Sequence, residues 1–330
     1  MPSKYDVITI GDCTTDAFIR LKIAKVTKDK DGTMALTMPF ADKIPYESLE
    51  TIPAVGNSSN VAVALSRLGL KSAILTAIGD DYYGRQVLAT YRAEGVGTDL
   101  IAINKGVPTN YHFVLNYGAE RTILIRHNEY RYHDPSLLDD VLWVYFSSMG
   151  ENTLQFHKTL GRYLKAHPEI KLGFNPGTFQ LKLGRGTLAD IYASTHVLFV
   201  NREEAQIITG AKTRLLNPLF KALHALGPKI IAITDGPAGA YASDGERAWF
   251  LRSYPDPKPP FSRTGAGDAF AGGFFGALML GESVSDALRW GPINSMSVVQ
   301  YTGARHGLLR RADIEKYLLE APADYEPKEL

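Results

Sequence analysis

The sequence has almost no cysteine and no long hydrophobic run. Its single cysteine, Cys13, excludes an internal disulfide and a zinc site built from several cysteines, which favours a reducing compartment. The N-terminus reaches Asp6 before any apolar segment develops, and the strongest late apolar run, Phe274 to Leu280, contains Gly276 and is too short to span a bilayer. We therefore expect a cytoplasmic protein with neither a signal peptide nor a membrane helix.

An excess of charge of one sign is also missing. The 36 Lys and Arg residues and 35 Asp and Glu residues give a formal net charge of +1, which argues against a nucleic-acid-binding face. Hydrophobic residues at 45% and charged residues at 22% are typical of a globular protein with a sizeable core. We expect one α/β domain, residues 1–330, that acts on a small molecule.

Short runs rich in Val and Ile alternate with longer segments of helical spacing. This alternation is typical of a central, mostly parallel sheet flanked by helices. Each predicted strand is short, apolar and closed by a residue that favours turns. The predicted strands are Asp6–Ile10, Ala73–Ile78, Leu142–Phe146, Lys171–Phe174, Val197–Val200 and Ile230–Thr234.

Two stretches, 18–55 and 108–128, depart from this alternation because they have the period of exposed strands. They contain turn signals at Asp31-Gly32 and near Asn116-Tyr117-Gly118, so we predict β-hairpins. We expect lid strands within 14–55 and 108–128, above the carboxyl ends of the parallel strands, where α/β sheets bind ligands. An exposed lid edge would also allow a homodimer, since unpaired strand edges invite association.

The run Thr264-Gly265-Ala266-Gly267-Asp268 precedes a long apolar helix. Its glycines permit close backbone approach to a phosphate, and the helix N-terminus offers free amides and the positive end of its dipole. Asp268 in the first turn can accept a proton from a substrate hydroxyl while the amides stabilise the transferred phosphoryl group. A Gly-rich turn with Asp268 as an ordinary N-terminal charge is the plain alternative. A dinucleotide motif is excluded because Phe270 stands where a small residue is needed.

The run resembles the C-terminal signature of the ribokinase family, also called the PfkB carbohydrate kinases. Three further segments are similar to motifs of that family, and the similarity extends over essentially the whole chain. They are Val55-Gly56-Asn57-Ser58-Ser59-Asn60 with Arg67-Leu68-Gly69, Ala77-Ile78-Gly79-Asp80-Asp81 with Gly84, and Asn201-Arg202-Glu203-Glu204.

The resemblance implies a ribokinase-like fold with a β lid, and transfer of the γ-phosphoryl group of MgATP to a sugar hydroxyl. It implies that Asp268 is the general base and that the amides of Gly265, Ala266 and Gly267 form the anion hole. Other residues of this chain match the positions of the family's substrate and cofactor sites. Asp16, Gly56, Asn60 and Asn57 would lie at the substrate, Asn201 and Glu204 would organise Mg²⁺ through water, and Thr234, Gly236, Gly239 and Asn294 would line the nucleotide site.

Several alternatives stay open. Asn201 could simply cap the helix that follows it, and Asp12 is placed as well as Asp16 to meet the substrate. His112, His127 and His133 lack metal-ligand spacing and are interpreted as surface or lid residues.

The acceptor and the cation requirement are open as well. Lid aromatics would suit a nucleoside kinase as well as a sugar kinase, and a non-catalytic sugar-binding regulator is a third hypothesis; the aromatics are Phe18, Phe40, Tyr111 and Phe113. Ser262-Arg263 replaces the family's Asp-Thr, whose Asp helps to hold a monovalent cation, so activation by potassium is in doubt.

Overall fold

The computed structural model describes residues 3–118, 120–138 and 140–330. The strands within these residues are β1 (Val7–Ile10), β2 (Thr14–Leu21), β3 (Lys25–Lys28), β4 (Met34–Thr37), β5 (Tyr46–Val55), β6 (Ser72–Gly79), β7 (Ile101–Asn104), β8 (Tyr111–Tyr117), β9 (Glu120–Leu124), β10 (Trp143–Phe146), β11 (Lys171–Phe174), β12 (Thr195–Asn201), β13 (Ile230–Thr234), β14 (Ala240–Ser243), β15 (Ala248–Leu251) and β16 (Lys328–Glu329). The α-helices are α1 (Asn57–Arg67), α2 (Tyr82–Ala93), α3 (Leu154–Ala166), α4 (Thr178–Thr187), α5 (Ala189–Ala193), α6 (Arg202–Thr209), α7 (Leu216–His224), α8 (Ala266–Met279), α9 (Val284–Val298) and α10 (Arg311–Leu319).

The larger sheet has the order β16-β15-β14-β13-β12-β11-β10-β1-β6-β7 over the described residues. The seven strands from β13 to β7 in this order pair in parallel, as the apolar runs predict, and β14 to β16 add an antiparallel edge. β1 is buried along its whole length because helices cover both faces of the sheet. The chain continues from β1 to β6 on one side and later to β10 on the other. The carboxyl end of β1 therefore lies at a topological switch point, the usual place for a ligand site.

A second sheet forms the lid, with the order β5-β2-β8-β9. It confirms the predicted small sheet, and β8 and β9 turn at Gly118 as the sequence indicates. The turn at Asp31-Gly32 is different, because it closes a separate two-stranded hairpin of β3 and β4 and does not join β2 directly to β5. All five residues of the edge strand β9 are exposed. Association of two copies through this edge stays a prediction.

Close packing of α1 against α8 fixes the relation between the two halves of the site. A Cβ added at Gly272 of α8 would lie 2.5 Å from the Ala64 Cβ of α1, and a Cβ at Gly276 would collide with Leu68. Both glycines therefore allow the helix backbones to approach more closely than larger residues would permit. α8 is buried from Asp268 to Ala277, so its position is set by the core on every side.

Candidate active site

Asp268 lies in the first turn of α8, which begins directly after Gly265. Gly265 adopts φ 80°, a left-handed conformation, and a Cβ there would be 2.6 Å from the Ala304 Cα. The glycine is thus required both for its backbone conformation and for space. Asp268 is 8% exposed, and it follows the free amide end of the helix at Gly265, Ala266 and Gly267. An anion would be stabilised at this point by the amides and the helix dipole.

Two amides of α1 hold the carboxylate of Asp268. Asn57 Nδ2 donates to Asp268 Oδ1 at 2.8 Å, and Asn60 Nδ2 donates to Oδ2 at 2.7 Å. Burial raises the pKa of Asp268, and the hydrogen bonds from Asn60 and Asn57 act in the opposite direction. The carboxylate is therefore fixed in orientation while its basicity is kept above that of an exposed aspartate. Sequence reasoning places both asparagines beside the substrate but misses their bonds to Asp268.

Gly56 precedes α1 with φ 136°, and a Cβ on it would collide with the Asp12 carbonyl. The carboxylate of Asp12 is fully engaged: Tyr132 OH donates to Oδ1, Gly150 N donates to Oδ2 at 2.7 Å, and His127 Nδ1 lies 3.2 Å from Oδ2. Asp12 is thus a local anchor for the loops around the end of β1.

Asp16 differs from Asp12 because one of its carboxylate oxygens has no hydrogen-bond partner among the described residues. Asp16 lies on β2 and is 7% exposed, and this oxygen is Oδ1. Burial raises the pKa of Asp16 to about 7, an effect that a hydrogen bond with Thr14 and the charge of Arg305 reduce. An unsatisfied buried acceptor of this kind calls for an explanation, and a substrate hydroxyl provides one.

Two histidines that the sequence assigns to the surface or lid lie in this region. His112 on β8 pairs in register with Asp16 on β2, and His127 lies against Asp12. The signal that would have found His112 is the register of β2 against β8, which the sequence does not display. His133 is exposed, as predicted for a surface residue.

Asn201 and Glu204 form a reciprocal cap at the start of α6. Asn201 Oδ1 accepts from Glu204 N, and Glu204 Oε2 accepts from Asn201 N, each at 2.8 Å. The capping alternative for Asn201 is therefore confirmed. Burial raises the pKa of Glu204, and the charges of Glu203 and Asp268 add to this effect.

The donor set fits a cation that is held mainly by substrate phosphates. Burial raises the pKa of the half-buried Glu204 and the charge of the buried Asp268 adds to this effect, and a cation between these carboxylates and the nucleotide would relieve their repulsion. Across residues 3–118, 120–138 and 140–330, no group of three or more His, Cys, Asp or Glu residues could hold a metal alone. Mg²⁺ suits such a place because it keeps several waters and binds phosphate oxygens.

The predicted nucleotide residues lie along the ends of β12 and β13. Thr234 pairs in register with Asn201, and Gly236 and Gly239 follow in left-handed conformations at φ 54° and 116°. Asn294 is 1% exposed, and its amide donates to Ala269 O at 2.9 Å and accepts from Leu309 N at 3.0 Å. Asn294 therefore ties α9 to α8 and to Leu309, and both the nitrogen and the oxygen of its amide already have partners within the protein.

Known proteins that are similar to this chain in sequence or fold include several kinases. The model of the pfkB family of carbohydrate kinases matches residues 47–311. The chain is 27% identical to the ribokinase of Bacillus subtilis over 328 residues, which covers 95% of this chain and 99% of that protein. A structure of a putative ribokinase II from E. coli in complex with ATP and Mg²⁺ aligns with a TM-score of 0.76 at 19% identity, covering 96% of this chain and 99% of that one. The nucleoside kinase of Methanocaldococcus jannaschii aligns with a TM-score of 0.75 at 17% identity, covering 96% and 98%.

The family match and the sequence relatives define a phosphotransferase with an alcohol group as acceptor. The chain belongs to the pfkB family of carbohydrate kinases and has the ribokinase-like fold. None of the helices in the described part of the chain is long and apolar enough to cross a membrane.

Proposed function

We propose that this protein transfers the γ-phosphoryl group of MgATP to a hydroxyl of a sugar, with Asp268 as the general base. The observation that carries the proposal is the buried Asp268 carboxylate, which two asparagines orient at the amide end of α8. A carboxylate at this position can remove the proton from an acceptor hydroxyl beside the point where the helix stabilises an anion. The complex of the E. coli relative with ATP and Mg²⁺ supports the choice of donor.

Separate residues of the chain serve as the general base and as the anion hole. Asp268 takes the proton from the acceptor hydroxyl, and the amides of Gly265, Ala266 and Gly267 stabilise charge on the transferred group. A preorganised donor of this type is worth roughly 3 to 4 kcal/mol. Asn201 and Glu204 would hold the waters of Mg²⁺. Their capping bond occupies Oε2 of Glu204, so Oε1 is the oxygen that would accept a hydrogen bond from such a water. When bound, Mg²⁺ neutralises charge on the phosphate oxygens.

The remaining residues bind and enclose the two substrates. Asp16 and Asn60 hold the acceptor, because Asp16 Oδ1 and Asn60 Oδ1 are both buried and without partners in the described part of the chain. Gly56 gives the close backbone approach at the base of the lid, and Asn57 orients Asp268. Asp12 supports the site through the loops that it anchors. The nucleotide passes along Thr234, Gly236 and Gly239, with Asn294 behind them.

The test of the function is replacement of Asp268 by Asn in the full-length protein. Asp268→Asn should lower kcat by about 10² to 10⁴-fold and leave the affinity for MgATP nearly unchanged, because the substitution removes the base and keeps the shape. Asp286→Asn is a matched control, since Asp286 is an exposed aspartate in the first turn of α9. The measurement is ADP release with sugars and nucleosides as acceptors. Equal rates for wild type and Asp268→Asn would rule out Asp268 as the base.

A nucleoside kinase is the second candidate, favoured by the structural likeness to the Methanocaldococcus jannaschii enzyme. Tyr111 and Phe113 do not add support, because they lie on the opposite face of β8 from His112 and pack in a row with Tyr83 of α2. Phe18 is 4% exposed within the lid, and Phe40 is fully exposed. Phosphorylation of nucleosides alone would favour this candidate. MgATP binding without turnover of any acceptor would favour a non-catalytic regulator.

A further inference from the structure

The imidazole of His112 lies against Asp16 on the inner face of the lid. The two residues are register partners on the parallel strands β2 and β8, so their side chains share a face. His112 Nδ1 is 3.6 Å from Asp16 Oδ1, which is too long for a hydrogen bond. His112 Nε2 and Asp16 Oδ1 are both buried and lack partners in the part of the chain that the structure describes. Two polar groups are thus enclosed side by side with bonding capacity unused.

A second carboxylate and imidazole pair lies behind the first. The rings of His112 and His127 are 5.5 Å apart at an interplanar angle of 72°, and His127 Nδ1 is 3.2 Å from Asp12 Oδ2. The hydrogen bond with Asp12 raises the pKa of His127, so this imidazole favours its charged form. Burial first, and then the charge of His127, lower the pKa of His112 to about 4. At neutral pH His112 is therefore uncharged, and Asp12 lies where it stabilises the charged form of His127.

Few other charges face the His112 and Asp16 pair. The guanidinium of Arg305 donates to the Pro53 carbonyl at the base of the lid, and its charge favours the ionised form of Asp16. The backbone of Arg126 raises the pKa of His112 and so opposes the effect of burial. The unused groups of the pair itself are a carboxylate oxygen and a ring nitrogen, and Asn60 Oδ1 on α1 and Arg305 Nη1 are likewise buried without partners in the described part of the chain. The carboxylate oxygen and the ring nitrogen satisfy hydroxyls. An anionic substituent would instead add a second negative charge beside Asp16, whose ionised form already depends on the charge of Arg305.

We propose that His112 is a specificity-determining residue of the acceptor site, which binds a hydroxyl of an uncharged substrate beside Asp16 and disfavours acceptors that carry a carboxylate or phosphate there. The inference rests on the proposed function, and it narrows the acceptor to neutral polyhydroxylated molecules. Asp12 and His127 act behind His112 as positioning residues, because Asp12 holds His127 and the ring of His127 packs edge-on against the ring of His112.

The test compares His112→Leu with His112→Gln, using His133→Leu as the matched control because His133 is an exposed histidine of the same region. Acceptors are neutral (D-ribose, D-fructose, adenosine, cytidine) or anionic (D-fructose 6-phosphate, 2-dehydro-3-deoxy-D-gluconate). His112→Leu should raise the KM of the best neutral acceptor about tenfold, the effect of losing one hydrogen bond to the substrate. The kcat and the KM for MgATP should stay near wild type, and His112→Gln should recover part of the loss.

Calorimetric binding of the same acceptors in the presence of Mg²⁺ and a non-hydrolysable ATP analogue separates this proposal from the function itself. If no acceptor is phosphorylated but a neutral one binds and His112→Leu weakens it, the kinase proposal fails and the role of His112 stands. Three results would overturn the role of His112: identical KM values for His112→Leu and His133→Leu, preference of the wild type for an anionic acceptor, or no binding of any neutral acceptor.

Discussion

The carboxylate of Asp268 accepts a hydrogen bond from Asn60 at 2.7 Å, although 208 residues separate the two positions in the sequence. The bond joins the first turn of α8 to the first turn of α1, so the proposed base and the acceptor-binding segment form one rigid unit. It also opposes the effect of burial on the pKa of Asp268. Both consequences can be measured.

Replacement of Asn60 by Ala should lower kcat by about tenfold or more and move the acidic limb of the pH profile upward. The reason is that the Asn60 amide favours the ionised form of Asp268, so its removal raises the pKa of the base. The measurement is kcat from about pH 5 to 9 at saturating substrates. Asn217→Ala, at an exposed position of α7, is the control. An acidic limb that does not move would show that Asn60 does not tune the base.

Asp16 should make the protein less stable as the pH rises. Its pKa is about 7 in the folded protein against an ordinary value of 3.8, so the folded state binds more protons than the unfolded state between about pH 4 and pH 7. The free energy of unfolding therefore falls as the pH rises through this window. Asp16→Asn should raise Tm by a few degrees at about pH 8 and weaken acceptor binding.

Asp12→Asn should change Tm in the opposite direction from Asp16→Asn. The substitution disturbs the bonds from Tyr132, Gly150 and His127, so it should lower Tm at the same pH. Thermal unfolding of the three proteins over a pH series checks both results. A lower Tm for Asp16→Asn at alkaline pH would contradict the buried-carboxylate explanation.

The glycines of the anion hole should differ in their tolerance of a methyl group. Gly265→Ala should destabilise the protein by a few kcal/mol, because the new Cβ collides with Ala304 and the residue has φ 80°. Gly267→Ala should leave the free energy of unfolding close to wild type, since no described atom beyond its chain neighbours and its own helix backbone lies within 4 Å of its Cβ position. Denaturant unfolding measures both. Equal stability of the two variants would mean that the contact with Ala304 yields easily.

Activity should not require a potassium ion. Ser262 Oγ accepts from Thr264 N at 3.2 Å and so serves the turn into α8, and the next residue, Arg263, adds a positive charge where the family has Asp-Thr. We expect less than about a twofold change in kcat when tetramethylammonium replaces potassium at constant ionic strength. The double substitution Ser262→Asp with Arg263→Thr should introduce a dependence. Strong activation of the wild type by potassium would refute the expectation.

The parallel sheet, the lid and the position of Asp268 at the start of α8 follow from local patterns that a single segment displays. The pairs Asn57 with Asp268 and His112 with Asp16 do not, because they depend on helix packing and on the register of strands distant in sequence. The turn at Asp31-Gly32 shows the same limit, because the turn follows from local residues, whereas the separation of its hairpin, β3 and β4, from the four-stranded sheet does not. Asn201 illustrates a further case, since its capping bond is visible in the sequence as a spacing of three residues.

The close contact of α1 with α8 has a consequence for the order in which the chain is made. A ribosome releases the acceptor segment at Asn57 and Asn60 long before it reaches Gly272, the residue that lies against Ala64. Until then the apolar side of α1, with Val61 and Leu65, has no helix to cover it, and a nascent chain has neither the proposed base nor the proposed anion hole. Synthesis of α8 thus supplies the cover for α1 and the proposed base in one segment, before the core residues of α9 and α10 are made.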